Sequence, residues 1–284
     1  MSLELRDPEG SGAHAFSRSG DQDRAAQSAR AATETEPVVL LHGQPGDRSD
    51  WDLVLPRLPG SVGALAWDRP GYGANHRPAG SIEDNARWLL DSLDRAGIER
   101  AVLAGHSYGG GVALAAAALA PERVRGLVLV ASVGPHCLNP LDELLALPVA
   151  GPALSLTAWS LLPWLARKGL DHNRSETRTA PEYWQLLAGV HHEHGPVWRS
   201  FLVEQRALLH ELGSWTDKLA QIRVPALILA DPADKVVPIS TAYALRDGLP
   251  EARLELVEGG GHHLPRRVPD VVAARIGAFV DSLE

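Results

Sequence analysis

Three short stretches hold the residues best able to do chemistry. Gly105-His-Ser-Tyr-Gly109 fits the pattern G-x-S-x-G. It stands between an apolar run at 101–104, which reads as a buried strand, and a run at 112–120 closed by Pro121, which reads as a helix. A serine on such a strand-to-helix turn presents its hydroxyl at the sheet edge, and the flanking glycines avoid clashes with both elements. A serine hydroxyl is a poor nucleophile at neutral pH, so it needs a histidine within hydrogen-bond reach. That histidine in turn needs a carboxylate to fix its tautomer and stabilise its cation. Both are offered downstream, in Asp231-Pro-Ala-Asp-Lys-Val-Val-Pro238 and in Glu258-Gly-Gly-Gly-His-His-Leu-Pro265. Ser107 is therefore the candidate nucleophile, His262 the base and Asp234 the acid, with Asp231 and His263 as second choices. In a chain with 27 glycines the five-residue pattern arises readily by chance. The flanking elements and the two answering loops give it weight.

Parallel strands with helices between them would position such loops. Residues 38–41 form a continuous apolar run ending at His42-Gly-Gln-Pro-Gly-Asp47, and 62–67 form a second, followed by Asp68-Arg-Pro-Gly-Tyr-Gly73. Residues 81–96 carry Ile82, Ala86, Leu89, Leu90 and Leu93 at helical spacing, with Ser81 and Asp84 suited to the N-terminus. Further strands are expected at 100–104, 124–131 and 224–230. One at 252–257 is partly charged and so belongs nearer an edge, and a closing helix is expected at 270–283. Runs apolar throughout, alternating with helices, predict a mostly parallel sheet covered on both faces. The candidate acid and base each follow a strand's C-terminal end, where open sheets of this kind build their sites.

The strand–helix rhythm stops between about 132 and 221, too long a span for an ordinary connection. This stretch holds Trp159, Trp164, Trp184, Trp198 and Trp215, five of the chain's eight tryptophans, and repeated prolines. It reads as a helical cap (132–221) inserted in a core made of 37–131 and 222–284, after a polar lead-in at 1–36. Within that lead-in 3–6 and 14–17 are the only strand-like runs. Taken singly, a tryptophan more often glues such an insertion to the core; collectively they suggest a mainly apolar cavity, with Trp159 and Trp184 against the substrate.

With these residues in view the chain resembles the α/β-hydrolase fold superfamily, in the form of a serine hydrolase with a helical cap. The resemblance rests on His42-Gly43, Asp68-Arg-Pro-Gly-Tyr-Gly73, Gly105-His-Ser-Tyr-Gly109, Asp234 with Val237-Pro238, and Gly261-His262, and runs from about residue 38 to the C-terminus. It implies an α/β fold, the roles given above for Ser107, Asp234 and His262, and an oxyanion hole formed by two backbone N–H groups. One would belong to Tyr108 and the other to Gln44, because Pro45 has no N–H to offer. The Gln44 side chain would also face the pocket. Ester hydrolysis through an acyl-enzyme is the activity expected first. The same triad would serve C–C bond hydrolysis of diketones, lactone or amide hydrolysis, or perhydrolysis. Ser107 at the elbow argues against the aspartate nucleophile used by epoxide hydrolases and haloalkane dehalogenases of this fold. A non-catalytic binder of a small apolar ligand is the alternative of another class.

Composition narrows the partners. The 284 residues are 45% hydrophobic and 22% charged, with a formal net charge of -8, enough to bury a sizeable core and without a basic stripe for nucleic acid. A small-molecule substrate is expected, with no cofactor, no nucleic acid and no membrane span, in a monomer or homodimer. Cys137, the single cysteine, allows no disulfide within the chain and is not a candidate nucleophile. The N-terminal residues show no secretory pattern, so a cytoplasmic setting is expected. His191-His-Glu-His194 looks like a metal cluster but lacks the usual ligand spacing, and reads as a solvated turn. Gly109-Gly-Gly111 fits no phosphate-loop pattern.

Overall fold

The structure, a computed structural model, describes residues 36–138, 142–143, 147, 151–153, 157 and 197–283. Six strands, β1 (Val38–Leu41), β2 (Ala64–Trp67), β3 (Ala101–His106), β4 (Val124–Val130), β5 (Ala226–Ala230) and β6 (Ala252–Leu256), form one sheet in the order β2-β1-β3-β4-β5-β6. Every pairing is parallel. The chain leaves β1 for β2 on one side and returns to β3 on the other. The crevice between the C-terminal ends of β1 and β3 is therefore the point where the winding reverses, the usual place for a site.

Strand residues are sorted between the faces by their period of two. Val39, Leu41, Leu103, Leu127, Leu129 and Ile228 point to one face and are buried there with α1 (Ile82–Arg95), α2 (Tyr108–Leu119), α3 (Val197–Thr216) and α4 (Ile239–Gly248). Val38, Leu40, Val102, Val128, Val130 and Leu227 point to the other, where α5 (Leu264–Arg267) and α6 (Pro269–Asp281) cover them together with Trp51. Burial on both faces explains why these strands read as unbroken apolar runs. β6 alternates charged and apolar residues and lies at the edge, as its composition suggests.

The start of α1 is fixed locally. The Ser81 hydroxyl accepts from the Asp84 N–H and the Asp84 carboxylate accepts from the Ser81 N–H, a reciprocal cap that satisfies two otherwise orphaned donors. The start of α2 is fixed by packing. The sequence places this helix from residue 112, whereas it begins at Tyr108 with Gly109-Gly-Gly111 as its first turn. Glycine is a poor helix former, but here close approach decides. A Cβ on Gly109 would lie 2.5 Å from the Leu41 carbonyl oxygen, and one on Gly105 would overlap the Gly109 backbone.

The proposed strands at 3–6 and 14–17 lie outside the described residues, as do Trp159, Trp164, Trp184 and the 191–194 histidine cluster. Of the other tryptophans in the proposed cap, Trp215 packs into the core on the α2 side of the sheet. Trp198 lies beside the Arg199 guanidinium.

Candidate active site

The elbow serine is held in a conformation that its neighbours over-determine. Ser107 has φ 52° and ψ -118°, a region costly for a residue with a Cβ, of the order of 1–3 kcal/mol. Its N–H donates to the Val130 carbonyl at 3.0 Å, and its carbonyl accepts from Gly110 and Val133 at 3.0 and 3.1 Å. β4, the loop after it and the first turn of α2 thus grip the residue from both sides.

Two loops from the far end of the sheet meet it. His262 Nε2 lies 3.0 Å from Ser107 Oγ, and His262 Nδ1 lies 2.8 Å from Asp234 Oδ2. The His262 and Asp234 side chains are almost wholly buried. With the carboxylate accepting, Nδ1 carries the proton and Nε2 is left as the acceptor for the serine hydroxyl. Asp234 is itself aimed by the backbone, its Oδ1 accepting from the Val236 and Val237 N–H groups at 2.7 and 3.0 Å. The arrangement suits removal of a proton from Ser107 as its oxygen attacks an electrophilic carbon.

The second-choice acid and base are placed elsewhere. Asp231 does not touch the imidazole. Its Oδ1 accepts from Ala233 N–H and its Oδ2 from Gly260 and Gly261 N–H at 2.9 and 2.6 Å, tying the acid loop to the histidine loop. Burial works to raise its carboxyl, but the N–H groups of Ala233, Gly261 and Gly260 outweigh it and hold the group below the usual carboxylate range. His263 packs against His106 and His262, and burial, followed by the charges of His262, Arg267 and Arg266, pushes it down to about 3. Cys137 is buried, and its thiol is raised to about 11, which suits its exclusion as a nucleophile.

Three buried features beside the triad were not foreseen. His106, directly before the nucleophile, donates from Nε2 to the His262 carbonyl at 2.7 Å and so fixes the backbone of the base. Burial and the neighbouring His262 keep it well below the ordinary imidazole range, so it stays neutral. His42 is likewise neutral and locked, Nδ1 donating to the Gly43 carbonyl and Nε2 accepting from Arg69 N–H. Arg69, fully buried, donates from Nε to the His42 carbonyl at 3.0 Å and from its terminal nitrogens to the Gly43 carbonyl at 2.9 Å and to Glu204 on α3. Tyr72 donates to the same glutamate at 2.8 Å. The loop after β1 is thereby fastened to α3.

That loop lies against the nucleophile, since a Cβ on Gly43 would stand 3.0 Å from Ser107 Cβ. Among the described residues neither Gln44 nor Tyr108 gives its N–H to a backbone acceptor. Tyr108 opens α2, where the first N–H groups have no partner within the helix. Tyr108 directly follows Ser107, and Gln44 follows Gly43, which packs on that serine. No group of three or more His, Cys, Asp or Glu side chains placed to hold a metal ion occurs among the described residues.

A parallel sheet clothed in helices, with a serine elbow at its winding reversal and Ser, Asp and His converging there, defines the α/β-hydrolase architecture. The chain belongs to the alpha/beta hydrolase family, whose model matches residues 38–275. It is 28% identical over 281 residues to the protein named "Putative carbamate hydrolase RutD" of Azorhizobium caulinodans, covering 95% of this chain and 99% of that protein. It is 29% identical to 2-hydroxymuconate semialdehyde hydrolase of a Pseudomonas species, covering 86% of each. Among solved structures, a thermophilic esterase of Thermogutta terrifontis superposes with a TM-score of 0.72 at 21% identity, over 88% of this chain and 90% of that one, a likeness of fold.

Proposed function

We propose that the protein is a serine hydrolase that cleaves a carboxylic ester of a small-to-medium, mainly apolar substrate through an acyl-enzyme. The observation that carries this reading is the unbroken hydrogen-bond chain from Ser107 Oγ through His262 to Asp234. Ser107 attacks the carbonyl as His262 Nε2 takes its proton, and the imidazolium is stabilised by Asp234. The oxyanion is met by the N–H groups of Gln44 and Tyr108, donors worth about 2.7–4 kcal/mol each in comparable sites. His262 returns the proton to the leaving group and then draws one from water to release the acyl group. Residues 132–221 serve as the cap, with Trp159 and Trp184 facing the substrate. Among the described residues no helix is long and apolar enough to cross a membrane.

Similarity along nearly the whole length of the RutD relative, and to the muconate semialdehyde hydrolase, favours a second reading: the same triad acting on a carbamate or on a C–C bond beside a carbonyl. A fluorophosphonate, which reacts only with an activated serine, tests the shared chemistry. It is expected to label Ser107 in the intact protein and to leave Ser107→Ala untouched. A panel of esters, carbamates and diketones then separates the bonds. Absence of label on folded wild-type protein would point to the non-catalytic binder instead.

A further inference from the structure

Gln44 contributes more than its backbone. Its Nε2 donates to Gln205 Oε1 at 2.8 Å, and Gln205 Nε2 donates to Asp142 Oδ1 at 2.9 Å. An ionised carboxylate only accepts, so Asp142 sets the direction of the whole relay. Gln205 must turn its NH2 to Asp142 and its carbonyl to Gln44, and Gln44 must turn its own NH2 to Gln205. The amide that looks reversible at Gln44 is therefore held one way round, with Nε2 spent on Gln205 and Oε1 left over. Among the described residues that oxygen is buried and has no hydrogen-bond donor. Buried acceptors in folded proteins are met by protein, by water or by ligand, and none of the described residues fills the place. The position is telling. Gln44 follows Gly43, which packs on Ser107, and its own N–H is the proposed oxyanion donor, so its side chain springs from the loop that lies against the nucleophile.

We propose that Gln44 Oε1 is a substrate-side hydrogen-bond acceptor and that the site takes acyl groups bearing an N–H or O–H one or two bonds from the scissile carbonyl carbon. A carbamate with a free N–H, or an α-hydroxy or α-amido acyl group, has that chemistry. A fully alkylated counterpart leaves Oε1 desolvated and unmatched, and a site built to bond a donor rejects the analogue lacking it. The inference rests on the serine-hydrolase reading and narrows its substrate class.

The test needs no knowledge of the natural substrate. Boronic acids bind an activated serine as tetrahedral adducts, so acetamidomethylboronic acid and its N-methyl derivative form the same adduct and differ by the N–H donor and one methyl group, whose steric part the Gln44 and Asp142 variants separate. Each is used to protect full-length protein against fluorophosphonate labelling of Ser107. The N–H boronate is expected to protect about tenfold more tightly, as one hydrogen bond in a desolvated site allows. In Gln44→Met the gap should fall below about threefold. Asp142→Asn, which keeps Gln44 but lets the relay run either way, should also narrow it. Equal protection by the two boronates in the wild type overturns the proposal, as does a gap that persists in both variants, which would mark it as steric. Failure of the wild type to label at all is a different result, striking the hydrolase reading and this inference with it.

Discussion

Asp231 and Asp234 stand three residues apart on one loop, and the same change should do different harm at each. At Asp231 both oxygens receive backbone N–H groups, so an asparagine has no harmless orientation: its NH2 must face a donor. Asp231→Asn is expected to cost about 2 kcal/mol in urea unfolding at pH 7. The wild-type carboxyl lies below its unfolded value, so its contribution is complete above about pH 4 and lost as pH falls through the lowered native pKa. The gap between wild type and variant should therefore close in acid. At Asp234 only Oδ2 meets the imidazole, and an asparagine can keep its oxygen on Val236 and Val237 while turning NH2 towards His262. Stability should then be largely retained while the imidazole is driven to the wrong tautomer. Ser107 labelling by a fluorophosphonate should slow about 10³–10⁴-fold. Comparable losses of stability in the two variants would contradict this division. That Ser107, Asp234 and His262 could converge was readable because each closely follows the C-terminal end of a strand. The bonds from Asp231 to Gly260 and Gly261 were not, since they join loops 29 and 30 residues apart and carry no local pattern.

At the scale of elements, α3 holds the loop that carries Gln44. Arg69 grips the His42 and Gly43 carbonyls and is itself neutralised by Glu204, 135 residues further along the chain. Both side chains are fully buried, so removing one charge leaves the other uncompensated. Glu204→Gln is expected to lower unfolding stability by about 3–5 kcal/mol. It should also slow Ser107 labelling at temperatures where the variant is still folded, because Arg69 is no longer held against the loop. An unchanged labelling rate in folded variant would show that the β1 loop keeps its shape without α3. Arg69 stands in the stretch Asp68-Arg-Pro-Gly-Tyr-Gly73 without an assigned role, and Glu204 could not be paired with it. Glu204 lies inside the stretch where the strand–helix rhythm lapses, and nothing periodic links it to Arg69. The helix that follows the elbow shows the complementary failure. Three glycines argue against a helical turn on propensity, and close contacts explain why they form one: Gly109 with the end of β1, and Gly110 and Gly111 with Ser132 and Val133 after β4.

For the molecule as a whole, the buried histidines set the response to acid. His42, His106 and His263 are all held below the ordinary imidazole range, in each case by burial first. The folded protein therefore refuses protons that the unfolded chain accepts near pH 6.5. The sign follows from that difference. Stability is complete above the unfolded pKa and falls as pH drops below it, because the unfolded state binds more protons. Each histidine adds a slope of about 1.4 kcal/mol per pH unit once its unfolded form is protonated. Asp50, raised by burial despite Arg266 beside it, works in the opposite sense but nearer the carboxylate range. Between pH 6 and pH 5 the histidines should thus dominate. Urea unfolding across that interval should show stability falling by more than about 2 kcal/mol, the slope of more than one proton. Replacing His263, the least buried of the three, with phenylalanine should remove one proton from that slope while leaving an aromatic ring to pack beside His262 and His106. A stability flat from pH 6.5 to pH 5 would mean that the buried imidazoles find protons in the folded state. The neutral, locked forms of His42 and His106 beside the nucleophile would then have to be abandoned.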